Sequence, residues 1–231
     1  RYPDTNTMHR LHFVLLAFVT LIGLAISTGT DARAADPIKA TEVATRVQAF
    51  YNTTKTFGAT FKQHYKVKAY NTEKQSSGRV VFEKPGKMKW TYDQPNGNRV
   101  VSDGSLMKVY EAANNQMYET PLNKSQYPAA LAFLMGTGDL AASFNLKLLD
   151  SKKMKFEGGW VLEGTPKQAT PAYQKVIIYV DSATAQVRRM VILDAQGNRN
   201  TFTFENPVVN TPVAADEFTF TPPPGTQVIK P

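Results

Sequence analysis

The chain has 231 residues, room for one large domain or two small ones, and its 42% hydrophobic and 20% charged residues exclude an intrinsically disordered protein. Cysteine is absent, which removes disulfides, thiolate metal sites, a cysteine nucleophile and an N-terminal lipidated cysteine. The histidines are His9, His12 and His64, too few for a triad hydrolase or a zinc site once the first two are lost with the leader.

The first segment reads as a leader and not as part of the fold. Met8 is followed by His9 and Arg10, an apolar run from Leu11 to Ile26, and Ala32-Arg33-Ala34. A basic start, a greasy stretch and an Ala-x-Ala site form the layout of a secretory signal. The alternative is a membrane anchor, but the run falls short of the ~20 apolar residues that a spanning helix needs. The expected division is therefore 1–34, upstream residues plus a signal cleaved after Ala34, and 35–231, a single exported domain. Cleavage removes three arginines and two aspartates, lowering the formal charge of +8 by one. The domain stays basic.

Between Thr41 and Tyr51, Val43, Val47 and Phe50 recur at i, i+4 and i+7, one face of a helix. After Gly58 the period becomes two. Phe61, Tyr65, Val67 and Ala69 alternate with Lys62, His64, Lys66 and Lys68, a half-buried strand with a basic outer face. Further strands are expected over Gly78 to Lys84, Met88 to Tyr92, Arg99 to Ser102 and Leu106 to Tyr110, with turns at Pro85-Gly86, 95–98 and Asp103-Gly104. Such spacing makes an antiparallel meander. Pro128 to Met135 interrupts it with no polar residue, and Asp139 is placed to cap a short turn from Leu140 to Phe144. Strands resume at Phe144 to Leu149, Gly159 to Glu163, Gln174 to Val180, Val187 to Leu193 and Asn200 to Glu205. Phe218 to Phe220 starts a last extended piece. The fold class is mainly β with a few helices, a curved antiparallel sheet whose concave face the helices plug.

The apolar insert is either a plain core helix closing a small sheet or a movable lid over a hydrophobic cavity, with flexible backbone at Gly136-Thr137-Gly138.

The stretch Phe82-Glu-Lys-Pro-Gly-Lys-Met-Lys-Trp-Thr-Tyr92 resembles the signature of the periplasmic lipoprotein carrier family, LolA. Val101-Ser-Asp-Gly104 and Leu106 to Tyr110 follow at the right distance, and Phe218-Thr-Phe-Thr-Pro-Pro-Pro-Gly225 resembles that family's closing motif. The resemblance implies an incomplete antiparallel barrel of about eleven strands with helices in its mouth. It also implies a monomeric carrier with no cofactor and no metal. Such a carrier takes acylated lipoproteins from an inner-membrane ABC-type releasing complex and hands them to an outer-membrane lipoprotein receptor. The receptor is itself lipidated, so this cysteine-free chain resembles the carrier.

Val80 and Phe82 on one strand, and Met88, Trp90 and Tyr92 on the next, have the parity of the face that the family turns inward. Together with Leu131, Phe133, Leu134 and Met135 of the insert they are the candidate lipid-binding residues; the alternative is that they fill a closed core. Lys84 shares the parity of Val80 and Phe82. Family members commonly place there an arginine that holds the lid shut. A lysine lacks the planar fork, so it either latches the lid differently, around Phe133 to Gly136, or snorkels to water.

The basic charge could point to nucleic acid, but export argues against it and no nucleic-acid motif is present. Acidic partner surfaces or anionic headgroups fit better. A lipid-binding or envelope-stress-sensing module of similar fold is the alternative to the carrier. A hydrolase built on Glu83 or Asp103 has no histidine or cysteine to support it.

Overall fold

The computed structural model of the protein describes residues 37–124, 134 and 138–230. The expected leader, and the insert apart from Leu134, lie outside these. Helix α1 (Ala40–Thr53) comes first and buries Val43, Ala44, Val47 and Tyr51. The stripe drifts one residue from the expected one, so Tyr51 takes the buried place and Phe50 lies half-buried beside it, ring on edge at 5.0 Å. At 3.6 residues per turn, i+8 continues a line through i and i+4 about as well as i+7 does.

The strands are β1 (Thr56–Val67), β2 (Thr72–Glu83), β3 (Lys87–Tyr92), β4 (Arg99–Asp103), β5 (Leu106–Glu111) and β6 (Gln116–Pro121). After a four-residue helix α2 (Leu140–Ser143) come β7 (Phe144–Leu149), β8 (Gly159–Pro166), β9 (Lys175–Asp181), β10 (Val187–Leu193), β11 (Arg199–Val209) and β12 (Gln227–Ile229). Asp139 caps α2, its carboxylate accepting the Ala142 N–H at 2.6 Å. All twelve strands form one sheet in the order β12-β6-β5-β4-β3-β2-β1-β11-β10-β9-β8-β7. Every pair is antiparallel except the short β12, which runs parallel to β6. The two edges, β7 and β12, do not pair, so the barrel is open. Eleven antiparallel strands match the expected architecture, and β12 adds a twelfth.

Several strand ends shift by a few residues, and three larger differences from the sequence reading each have a physical reason. Strand β2 begins six residues earlier than Gly78, because 72–77 is exposed on both faces and shows no apolar alternation. Strand β6 was not foreseen. Met117 is buried on one face and Tyr118 lies partly open on the other, so neither face stands out. Phe218 ends a turn closed by the Thr219 N–H on Asp216 O, Thr219 and Phe220 lie in no strand, and the last strand lies further on at β12.

One apolar cluster joins α1 to the inner face of the sheet: Val80, Phe82, Met88, Trp90, Val100, Met107, Val176, Ile178, Phe202 and Phe204 all belong to it. A smaller cluster of Val161, Ile177, Tyr179 and Val191 sits on the outer face under Met154 and Phe156. Strand β9 is therefore buried on both faces, which accounts for its unbroken Val-Ile-Ile-Tyr-Val run. After β11 the tail crosses the outer face. Glu217 reaches Arg79 at 2.9 Å and Lys89 at 3.8 Å, and Lys108 donates to Phe220 O at 3.1 Å.

The basic outer face of β1 is partly neutralised. Lys62 pairs with Glu205 at 2.9 Å, while Lys66 and His64 both reach Glu73, at 3.0 and 2.9 Å. The hydrogen bond from Lys66, with His64 adding to it, holds the Glu73 carboxyl below the usual carboxylate range.

The Val101-Ser-Asp-Gly104 motif is a turn lock. Ser102 is buried, donates from Oγ to Gly86 O at 2.9 Å and accepts the Gly104 N–H at 3.2 Å, so it ties the β2–β3 turn to the β4–β5 turn. The Asp103 carboxylate accepts from the N–H groups of Leu106 and Ser105 and from Ser105 Oγ, all at 2.8 Å. These bonds, that from Leu106 foremost, keep its pKa below the ordinary aspartate range. A depressed native pKa stabilises the fold above the unfolded pKa and loses that contribution as pH falls through the native one. Urea midpoints measured down the acid limb should therefore drop more steeply for the wild type than for Asp103→Asn; parallel curves would show that these bonds do not favour the charged form.

Candidate lipid-binding site

Strands β2 and β3 bring the candidates together by register. Val80 lies opposite Trp90, Phe82 opposite Met88 and Gly78 opposite Tyr92. The alternation Lys-Met-Lys-Trp-Thr-Tyr sends Met88, Trp90 and Tyr92 to the inner face, and the burial of β3 alternates in step with it. Leu134 of the insert joins the same cluster at 2% exposure. Leu131, Phe133 and Met135 lie outside the described residues.

Four phenylalanines complete this face. Trp90 is at its centre, with ring centroids 4.9 Å from Phe61, 5.2 Å from Phe202, 5.9 Å from Phe82 and 6.2 Å from Phe204. Phe61 also meets Tyr92 edge-on at 5.0 Å. Phe202 and Phe204 were not singled out in the sequence, although Thr-Phe-Thr-Phe alternates as plainly as β3. Their contact with Trp90 depends on β11 pairing with β1, strands about 140 residues apart in sequence, a closure that no local pattern encodes. Large rings meeting at edges repack without losing a hydrogen bond, which suits ligands of variable shape.

The helix over this face is held at its C-terminal end. Lys84 Nζ donates to Tyr51 O, and the Thr54 N–H donates to the same carbonyl at 3.2 Å. The Tyr51 hydroxyl accepts the buried Val187 N–H at 3.2 Å, tying α1 to the start of β10. A cation at this end of a helix also meets the negative end of its dipole. Partial burial lowers the Lys84 pKa from the ordinary lysine range, and complete burial raises that of the Tyr51 phenol. The carbonyl partner of Lys84 among the described residues thus belongs to α1. Of the expected partners around Phe133 to Gly136, Leu134 alone is described. Nearer the middle of α1, the Arg46 guanidinium lies 5.3 Å from the centroid of the Trp160 ring.

Two open grooves, of about 610 and 690 Å³, lie away from this face. Their walls carry charged or amide side chains, Lys62, Lys74 and Asp93 in one and Lys175, Gln174 and Asp194 in the other. Among the described residues no group of three His, Cys, Asp or Glu is placed to hold a metal ion, and no helix is long and apolar enough to cross a membrane.

An unclosed antiparallel barrel whose inner face is aromatic, apolar and covered by a tethered helix places the protein in the class of open β-barrels with a hydrophobic interior. The family model of the outer membrane lipoprotein carrier protein LolA matches residues 52–221, and the chain belongs to that family. Among its relatives, the outer-membrane lipoprotein carrier protein of Nitrosomonas europaea is 31% identical over 223 residues, covering 96% of this chain and 100% of that one. The protein of the same name from Cupriavidus necator is 33% identical over 155 residues, 67% of this chain and 71% of its own. A crystal structure of an uncharacterized conserved protein from Thermus thermophilus superposes with a TM-score of 0.51 at 16% identity, covering 83% of this chain and 99% of that one. That likeness concerns the fold alone.

Proposed function

We propose that the protein is a periplasmic carrier that binds the acyl chains of lipoproteins released by an inner-membrane ABC-type complex and delivers them to an outer-membrane receptor. The observation that carries this reading is the inner face itself: Val80, Phe82, Met88, Trp90 and Tyr92, all apolar or aromatic, packed under a helix that one lysine tethers. Each methylene moved out of water gains ~0.8 kcal/mol, so one long acyl chain left exposed costs roughly 10 kcal/mol. A diffusing carrier must cover that surface and still give it up. A helix tethered at its end over a face of adaptable rings meets both needs, since the surface exposed on opening is covered by the lipid while it is bound and by the helix once it leaves. Export follows from the signal-like leader, with cleavage after Ala34 and a mature start at Ala35.

The test is native mass spectrometry of the protein taken from the envelope of an expressing Gram-negative host. The expected result is a polypeptide starting within two residues of Ala35, part of it carrying an acylated protein. A chain that retains Leu11 to Ile26 would be anchored, and a carrier that diffuses between membranes would then be untenable. A correctly processed chain that never carries acyl groups, even when releasing complex and cargo are co-expressed, would overturn the delivery reading.

A further inference from the structure

We propose that Trp90 Nε1 is a polar anchor inside the apolar face, donating to an ester carbonyl of the bound lipid, so that the protein selects ester-linked acyl chains over ether-linked ones. The inference rests on the carrier reading above. Trp90 is 0% exposed, and its indole N–H is a buried side-chain donor with no hydrogen-bond partner among the described residues. A buried tryptophan normally satisfies this group, and leaving it unmade is unfavourable. Its neighbours Phe61, Phe82, Phe202 and Phe204 offer rings but no acceptor oxygen. If packing were all that mattered, a phenylalanine would suit this position without the penalty. The donor is therefore spare in the empty protein and free for a ligand.

The acceptor must be neutral. The buried cluster around Trp90 consists of hydrophobic residues, and Lys84, the nearby cation, is already engaged by Tyr51 O. A carboxylate or phosphate placed there would be an unpaired charge in dry surroundings, which is costly. A carbonyl at the head of a hydrocarbon chain meets both requirements, since the chain lies among the rings while one oxygen reaches the indole.

The experiment compares two probes of equal chain length, a cysteinyl peptide carrying a glyceryl group with two palmitoyl esters and its twin with two hexadecyl ethers. Affinities are measured for the wild type and for Trp90→Phe, and the indole N–H resonance of Trp90 is followed by NMR, assigned with Trp160→Phe. The wild type should bind the ester probe about ten-fold more tightly than the ether probe, the scale of one recovered hydrogen bond. Trp90→Phe should bind both alike, and the indole resonance should move downfield with the ester probe alone. Equal wild-type affinity for both probes, or an ester preference that survives in Trp90→Phe, overturns the anchor and leaves the carrier reading standing. Failure to bind either probe overturns the carrier reading and the anchor with it. If Trp90→Phe does not fold, the wild-type resonance decides. A signal that stays at the upfield position of an N–H held over an aromatic ring, with either lipid, refutes the proposal.

Discussion

Gly78→Ala should lower the thermal midpoint of the domain by roughly 6–12 °C, taking a penalty of about 3 kcal/mol and 2–4 °C for each kcal/mol in a domain of this size. A Cβ at Gly78 would meet the Thr91 carbonyl oxygen at 2.0 Å and Phe61 Cε1 at 2.9 Å. The first contact is with backbone and cannot be relieved by a rotamer change. β2 must move away from β3, and the second contact presses on Phe61, the ring that meets Trp90, Tyr92 and Phe202. Lipid binding should fall with stability for that reason. The control is Gly158→Ala, where a Cβ meets nothing within 4 Å but φ is +75°. Only the left-handed backbone penalty of about 1–2 kcal/mol applies there. Calorimetry of the two variants decides the matter. A Gly78→Ala loss no larger than that of Gly158→Ala would mean that the β2–β3 approach has slack.

Where one face of a strand is buried and the other wet, the sequence was readable. Strand β3 shows this most clearly, with Met88, Trp90 and Tyr92 inward and the residues between them half-exposed. Helix α1 and the Asp139 cap were readable for the same kind of reason, a short-range pattern with one physical meaning. Legibility failed where both faces were alike. Residues 72–77 are wet on both sides, and β6 pairs with β5 on one side and with a tail strand more than one hundred residues later on the other. The family motifs hold turn locks as well as inward-facing apolar residues. Ser102 and Asp103 lock turns, and Phe218 is buried under the Lys87 ammonium, which lies 5.7 Å from its ring centroid. The candidate lipid-binding residues on β2 and β3 could be read from parity. The rings that β11 contributes, and the α1 carbonyl that Lys84 finds, depend on long-range closure of the sheet and on where the helix ends.

Lys84→Leu should raise cargo affinity and slow transfer to receptor-bearing membranes by about ten-fold, at the lower end of the roughly 1.5–3 kcal/mol that a hydrogen bond from a charged donor contributes. The lower end applies because Lys84 is only half-buried, so water replaces part of what the ammonium supplies. The direction follows from linkage. The bond from Nζ to Tyr51 O forms while α1 lies over the rings, so it favours the covered, empty protein. Cargo must displace α1 to reach Trp90, and each binding event works against that bond. Without it, less free energy opposes binding and less drives release. The Tyr51 hydroxyl would still tie the helix end to β10, at 3.2 Å, so the leucine variant should keep its fold and unfold close to the wild-type temperature. Lys84→Arg should do the reverse, weakening cargo binding and speeding release, because a guanidinium can donate to two carbonyls at once at the end of α1. Transfer rates and affinities measured together on the three proteins decide it. If leucine, lysine and arginine give the same values, the tether on α1 does not control access to the aromatic face, and release must be driven from the receptor side.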